Sequence, residues 1–196
     1  MLNLIKYLNR QQKTKITKMY NKGVKINRIA KAIDEPIFVV KEYLESMGTE
    51  IKGQYCYQVH GHLQLNDYYN CYLHQYIMSK ELGTSIQDVK KYCIHHVDGN
   101  KLDNNITNLW VFFDGATHML YHSMSEVGNS LDELYIFTLE QIEIDLKNLD
   151  DDLEQGIIKN DEYIEIKQNI NNYMKLITQL FKKQKKILLK ATNKQE

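Results

Sequence analysis

The sequence predicts an α+β chain of three successive regions, and three observations carry that reading. Up to about residue 50, apolar residues recur at helical spacing in three short runs. Residues 51–126 mix strand-like alternation with helical stretches. From residue 127 onward, apolar residues step by four and three along two long runs broken at Gln155-Gly156. The expected layout is a three-helix segment over 1–50, a mixed core over 51–126 and a helical hairpin over 127–196.

In the first region, Ile16, Met19 and Tyr20 mark one helix, and Gly23 ends it. Ile26, Ile29, Ala30 and Ile33 mark a second. Asp34-Glu35-Pro36 makes a turn, with Pro36 placed to open a third helix that carries Val39, Val40, Tyr43 and Leu44 and stops at Gly48. Met1 to Lys31 holds nine Lys or Arg residues and no acidic one, although the whole chain is formally neutral. Three short helices on a basic segment resemble a helix-turn-helix of the resolvase or homeodomain-like kind, whose last helix enters the major groove. Lys25, Arg28 and Lys41 are the candidate DNA contacts here, with Lys101 further along the chain. The last helix also carries Glu42 and Glu45, which favours general attraction to DNA over sequence reading, and a helical bundle without DNA contact stays open.

In the core, Gln54 to Gln64 alternates like a half-buried strand, and Tyr72 to Leu82 reads as a helix closed by Gly83. Tyr92 to Val97 and Leu109 to Phe113 read as strands. Asp114 suits the N-cap of a helix bearing His118 and His122. In the hairpin, Tyr135, Leu139, Ile142, Leu146, Leu149 and Leu153 form one stripe. Tyr163, Ile166, Ile170, Tyr173, Ile177, Leu180 and Ile187 form the other. Such a hairpin packs on the core or on a second copy, which makes a homodimer a candidate assembly.

The chemistry concentrates in CIHHVDGNKLDNNITNLWVFFDGATHMLYH, Cys93 to His122, which holds four of the seven histidines. His118 and His122, four apart on a helix, face one side and suit one metal ion. His95 and His96 are adjacent on a strand, so one is placed to bind that metal while the other stays a base. Three imidazoles leave positions open for water or phosphate oxygen, as a catalytic site requires.

This stretch resembles the HNH endonuclease family, in the form HHxDGNKxxNNxxNLxxF followed by HxxxH. The resemblance implies a ββα-metal fold. It implies His95, His118 and His122 as metal ligands, His96 as general base, and Asn108 as the central asparagine that holds the loop and orients the base. Asp98-Gly99-Asn100 would form the turn, and Asn104 and Asn105 would pin the loop. The family's helix with a His-Arg pair is matched by YLHQYIMSKELG, where Gln75 stands in the arginine position and His74 reads as structural. A zinc site from Cys56, His60 and His62 lacks a recurring ligand spacing.

The expected activity is hydrolysis of phosphodiester bonds in double-stranded DNA with one divalent metal ion. Mg²⁺, Mn²⁺, Zn²⁺ and Ni²⁺ are the candidates, and the all-histidine ligand set makes oxygen-preferring Mg²⁺ the weakest fit. Three cysteines without a CxxC pair fit a reducing cytosol. The chain has no apolar run of membrane-spanning length and no secretory pattern at MLNLIKYLNRQQKTK, so a cytoplasmic protein of a bacterial host cell is expected. Richness in Asn, Lys, Ile and Tyr suits an AT-rich genome, as in many phages and Gram-positive hosts, and a phage or mobile-element (homing-type) nuclease is the expected role. A restriction or defence nuclease and a DNA-binding regulator with an inactive core remain as alternatives.

Overall fold

The computed structural model describes residues 3–52, 56–65, 70–124 and 130–193. It divides into two compact units, Met1–Tyr76 and Ile77–Glu196.

The first unit opens with a 3₁₀ turn, Leu4–Tyr7, and helix α1, Arg10–Asn21. A capping box starts α1: the Asn9 side chain accepts the Gln12 N–H, and the Gln12 side chain accepts the Asn9 N–H. Helices α2, Ile26–Ile33, and α3, Ile37–Ser46, follow as the apolar spacing predicts. Asp34 joins them in the left-handed region, φ 54°, where a short polar side chain is tolerated. Ile16, Ile29, Ala30, Val39, Val40 and Leu44 are buried together as the core of this bundle. Pro36 is the residue just before α3 rather than its first. Glu35 is 2% exposed, and its two oxygens accept from Gln12 Nε2 at 3.2 Å and Tyr76 Oη at 2.8 Å. A carboxylate buried this deeply needs such donors.

One strand was expected over 54–64. The chain instead forms a hairpin, β1, Cys56–Val59, and β2, His62–Leu65, with Val59 opposite His62. Residues 54 and 55 lie outside the described residues. His60 and Gly61 make the turn with φ of 49° and 84°, as two-residue hairpin loops require. The apolar alternation continues through them without an Asn-Gly signal, which hides the turn in the sequence. Helix α4, Leu73–Leu82, ends at Gly83.

The second unit continues with a short helix α5, Ile86–Val89, that periodicity did not reveal. Strands β3, Cys93–His96, and β4, Leu109–Phe112, pair antiparallel with His95 opposite Trp110 and His96 opposite Leu109. Asp114 caps α6, Gly115–Ser123, by accepting the Thr117 N–H at 2.8 Å. Helices α7, Leu131–Glu154, and α8, Asn160–Thr192, form the hairpin. The expected boundary at residues 126–127 lies outside the described residues.

Strand β4 is buried at every position because the helices cover it. Trp110 Nε1 donates to Thr138 Oγ1 at 3.1 Å, and Tyr173 Oη donates to the Val111 carbonyl at 2.9 Å. Gln184, fully buried on α8, donates to the carbonyls of Ile106 and Leu109 at 2.7 and 2.6 Å. The buried face of α7 joins Ile142 and Leu149 of the heptad stripe, whose other members are half-buried, to Leu131, Leu134, Phe137 and Thr138 beside it. Packing on β4 sets that face. Ile187, expected on the buried stripe of α8, is 38% exposed. Among the described residues no helix is long and apolar enough to cross a membrane.

Candidate active site

Alternation along β3 puts Cys93 and His95 on one face and Ile94 and His96 on the other. Helix α6 lies on the first face and brings its i, i+4 histidines to His95. His95 Nδ1 is 3.0 Å from His118 Nε2, and His122 Nε2 is 2.9 Å from the same atom. Two nitrogens about 2.1 Å from one cation lie roughly 3.0–3.4 Å apart at octahedral to tetrahedral angles. The three imidazoles therefore fit one metal ion. No carboxylate joins this group among the described residues, so the donor set is nitrogen only.

His95 is buried against the rings of Phe112 and Tyr121, and its Nε2 has no hydrogen-bond partner among the described residues. Burial, and then the neighbouring histidines 118, 122 and 96, push its pKa down to about 4. Burial followed by His122 lowers His118 as well. Both rings thus stay neutral near pH ~7, the form that binds metal. His118 stacks on Phe112 with centroids 5.2 Å apart, and its Nδ1 lies 3.2 Å from Cys93 Sγ. Burial and then Asp114 raise the Cys93 thiol above its ordinary value, which keeps it neutral.

His96, at the end of β3, is 4% exposed, and its Nε2 is 3.4 Å from Asn104 Oδ1. Asn104 is itself turned by donating to the Leu102 carbonyl at 3.0 Å. Burial lowers His96 more than this hydrogen bond and the nearby Asp98 and Asp103 raise it. The loop behind it is closed by Asn108, whose Oδ1 accepts the Asp98 N–H at 3.0 Å. Its Nδ2 donates to Asp98 Oδ1 at 2.8 Å and to the Asp103 carbonyl at 2.9 Å. Gly99 turns the chain at φ 73°, and its N–H donates to the His96 carbonyl at 2.9 Å. These bonds hold Asp98, chiefly through the Asn100 N–H and then Asn108, below the usual carboxylate range.

Asn108 was expected to hold the loop and orient the base, and its side chain bonds within that loop. Asn108 staples the loop, and Asn104 is the side chain placed on the His96 ring. Both asparagines share the motif, and only the fold separates their parts. Asn105, expected to pin the loop, is exposed; its N–H and side chain donate to Asp103 Oδ1, and its carbonyl accepts the Asn108 N–H at 2.8 Å. Cys93 went unnoticed at the sequence level. Its signal was spacing, since a residue two before His95 on a strand shares its face.

The remaining candidates are placed as follows. Lys25, Arg28 and Lys101 are exposed. Lys41 is half-buried and pairs with Glu45 at 3.5 Å, and Glu42 accepts the Leu4 N–H at 3.1 Å. Two polar residues of α3 are thus engaged within the first unit. His74 is buried and stacks on Tyr72, with His62 edge-on at 4.9 Å. Gln75 accepts the Tyr72 N–H at 3.0 Å and so serves the start of α4. Cys56 and His60 join no group of ligand atoms among the described residues.

Two antiparallel strands and a helix thus gather three imidazoles, with a fourth at the strand end, in a ββα arrangement. Residues 71–112 match the family model of the HNH endonuclease, and over this segment the chain carries an HNH endonuclease domain. Such a domain implies nuclease-type function and DNA as the substrate. The match contains His95, His96, Asn104 and Asn108 and stops before α6, so His118 and His122 are joined to it by geometry. No curated protein and no solved structure matches the chain.

Proposed function

We propose that this chain is a metal-dependent DNA endonuclease in which His96 is the general base. The observation that carries the reading is the cluster of His95, His118 and His122, with nitrogens 3.0 and 2.9 Å apart, one residue along β3 from a buried histidine. His95 would hold one divalent cation through Nδ1, and His118 and His122 through Nε2. When bound, that cation supplies positive charge beside the phosphate and the leaving oxygen.

The chain's own residues do the rest. Asn104 Oδ1, 3.4 Å from His96 Nε2, orients the ring that takes the proton of the attacking water. Burial keeps the ring neutral, hence basic, near neutral pH. Asn108 holds the loop so that Asn104 keeps its place. The basic α1 and α2, with Lys25 and Arg28, attract the phosphate backbone of double-stranded DNA, and Lys41 and Lys101 add to that attraction. Family resemblance gives 5′-phosphate and 3′-hydroxyl ends and a phage or mobile-element (homing) setting. One chain with one site nicks one strand, and a homodimer through the C-terminal helices would cut both.

The test is plasmid cleavage by wild type and His96→Ala with EDTA, Mg²⁺, Mn²⁺, Zn²⁺ and Ni²⁺. Metal-dependent nicking that His96→Ala abolishes, with metal binding retained, supports the assignment. DNA binding without cleavage in every metal overturns it.

A further inference from the structure

A histidine ligand has two ring nitrogens, and only the one aimed at the metal does useful work. Turning the ring by half a turn would put carbon where nitrogen is needed. Something must select the flip and place the ring proton on the far nitrogen, and in many metal sites a hydrogen-bond acceptor does so.

The three histidines differ in this respect. His95 Nε2 is buried with no partner among the described residues, so packing against Phe112 and Tyr121 sets that ring. His118 is the ring whose Nε2 lies within 3.0 Å of both other ligand atoms, which makes it the hub of the cluster. Its plane is set by stacking on Phe112, but stacking does not choose between the two flips. The flip is chosen at the other end of the ring, where Nδ1 meets Cys93 Sγ at 3.2 Å.

We infer that Cys93 is a positioning residue for the metal centre: its sulfur accepts the His118 Nδ1–H and thereby holds the His118 Nε2 lone pair toward the site shared with His95 and His122. The inference rests on the metal-site reading above and deepens it. Position explains why the thiol can serve. Cys93 and His95 are two apart on β3 and share the face that α6 covers, while the register sets Cys93 opposite Phe112, on which His118 stacks. One strand thus supplies a ligand and the support of a second ligand. The sulfur is not placed as a fourth ligand, because it contacts the nitrogen of His118 that faces away from the cluster.

The test compares wild type with Cys93→Val, which keeps an apolar strand residue and removes the acceptor, and with Cys93→Ser, which restores one. Zn²⁺ affinity is measured by titration against a competing chelator, and the His118 tautomer by ¹⁵N NMR of the metal-free protein. A sulfur acceptor is weak, so the expected loss in Cys93→Val is near the low end of the 10–100-fold range for such supports, about tenfold. Cys93→Ser should recover most of it. In the wild type the proton should sit on Nδ1 of His118. Unchanged Zn²⁺ affinity in Cys93→Val, or a wild-type His118 protonated on Nε2, overturns the inference. The wild-type tautomer decides even if the valine variant does not fold. Wild type that binds no Zn²⁺, Mn²⁺ or Ni²⁺ would overturn the metal-site reading itself. Wild type that binds metal with no dependence on Cys93 would overturn this inference alone.

Discussion

The loop behind His96 and the cluster around His95 start from adjacent residues on opposite faces of one short strand and are held by opposite means. The loop from Val97 to Asn108 is closed by hydrogen bonds that the chain supplies itself, three of them on the Asn108 side chain. The cluster brings three imidazoles together with no carboxylate among them and leaves one buried nitrogen of His95 without a partner. On the proposed function, the base half is organised before any ligand arrives, whereas the metal half would gain a further stabilising contact on binding a cation. Substitutions should divide along the same line.

The largest effect is expected at His96. His96→Ala should lower DNA cleavage by about 10²–10⁴-fold, the usual worth of a positioned acid or base. Metal affinity should hardly change, because the ring belongs to the other half. Calorimetric metal titration beside a cleavage assay checks both. Cleavage and metal binding lost together would erase the division between the halves.

Next comes Asn108→Asp. The change turns the Nδ2 donor into an acceptor facing Asp98 Oδ1 and the Asp103 carbonyl. Two hydrogen bonds are lost and like charges are set side by side, for a cost of about 2–4 kcal/mol in folding stability. Urea unfolding measures it. Cleavage should fall with stability, and metal affinity should stay near wild type.

The sharp contrast between the halves was only partly legible in the sequence. The His pair, the Asp-Gly-Asn turn and the i, i+4 histidines announce themselves by spacing, which is a local property. Helices α1 to α4 and α6 are likewise local, since periodicity and caps such as Asp114 define them. The division of labour between Asn104 and Asn108 depends on how a twelve-residue loop closes, and both residues look alike in a string. The His60-Gly61 turn was missed because its left-handed residue is a histidine. The heptad stripe of α7 was legible because it encodes a partner helix, but the buried face beside it was not, since β4 sets it, with Thr138 drawn inside to receive Trp110.

Acid should act on the metal half more than on the base half. His95, held at about 4, and His118 and His96, both lowered by burial, bind protons more weakly folded than unfolded. As pH falls below the ordinary imidazole value of about 6.5, the unfolded chain takes up those protons first. The stability these neutral rings contribute is full above that value and is lost as pH falls toward the folded values, ending near 4 for His95. Thermal melts of the metal-free protein through this window should show the decline. His95→Phe, which keeps an apolar ring, should flatten it. An equally steep decline in that variant would show that other groups drive the loss.

The smallest expected effect probes how much the metal half owes to its own helix. Asp114 accepts the Thr117 N–H and hydroxyl at 2.8 and 3.0 Å and so starts the helix that carries His118 and His122. Asp114→Ala removes a cap worth about 1 kcal/mol. If the two histidines are presented by a helix already formed, that loss appears mainly as a lower melting temperature, with metal affinity reduced only a few-fold, since about 1.4 kcal/mol corresponds to a factor of ten. If instead the cation organises α6, the whole capping energy moves into the binding constant: the metal-free melting temperature should match wild type, and the deficit should appear only with metal. Melting curves of Asp114→Ala with and without Zn²⁺ separate the two. The first result would mean that α6 offers its imidazoles as firmly as the loop offers His96, and the second would make the contrast between the halves one of folding as well as of bonding.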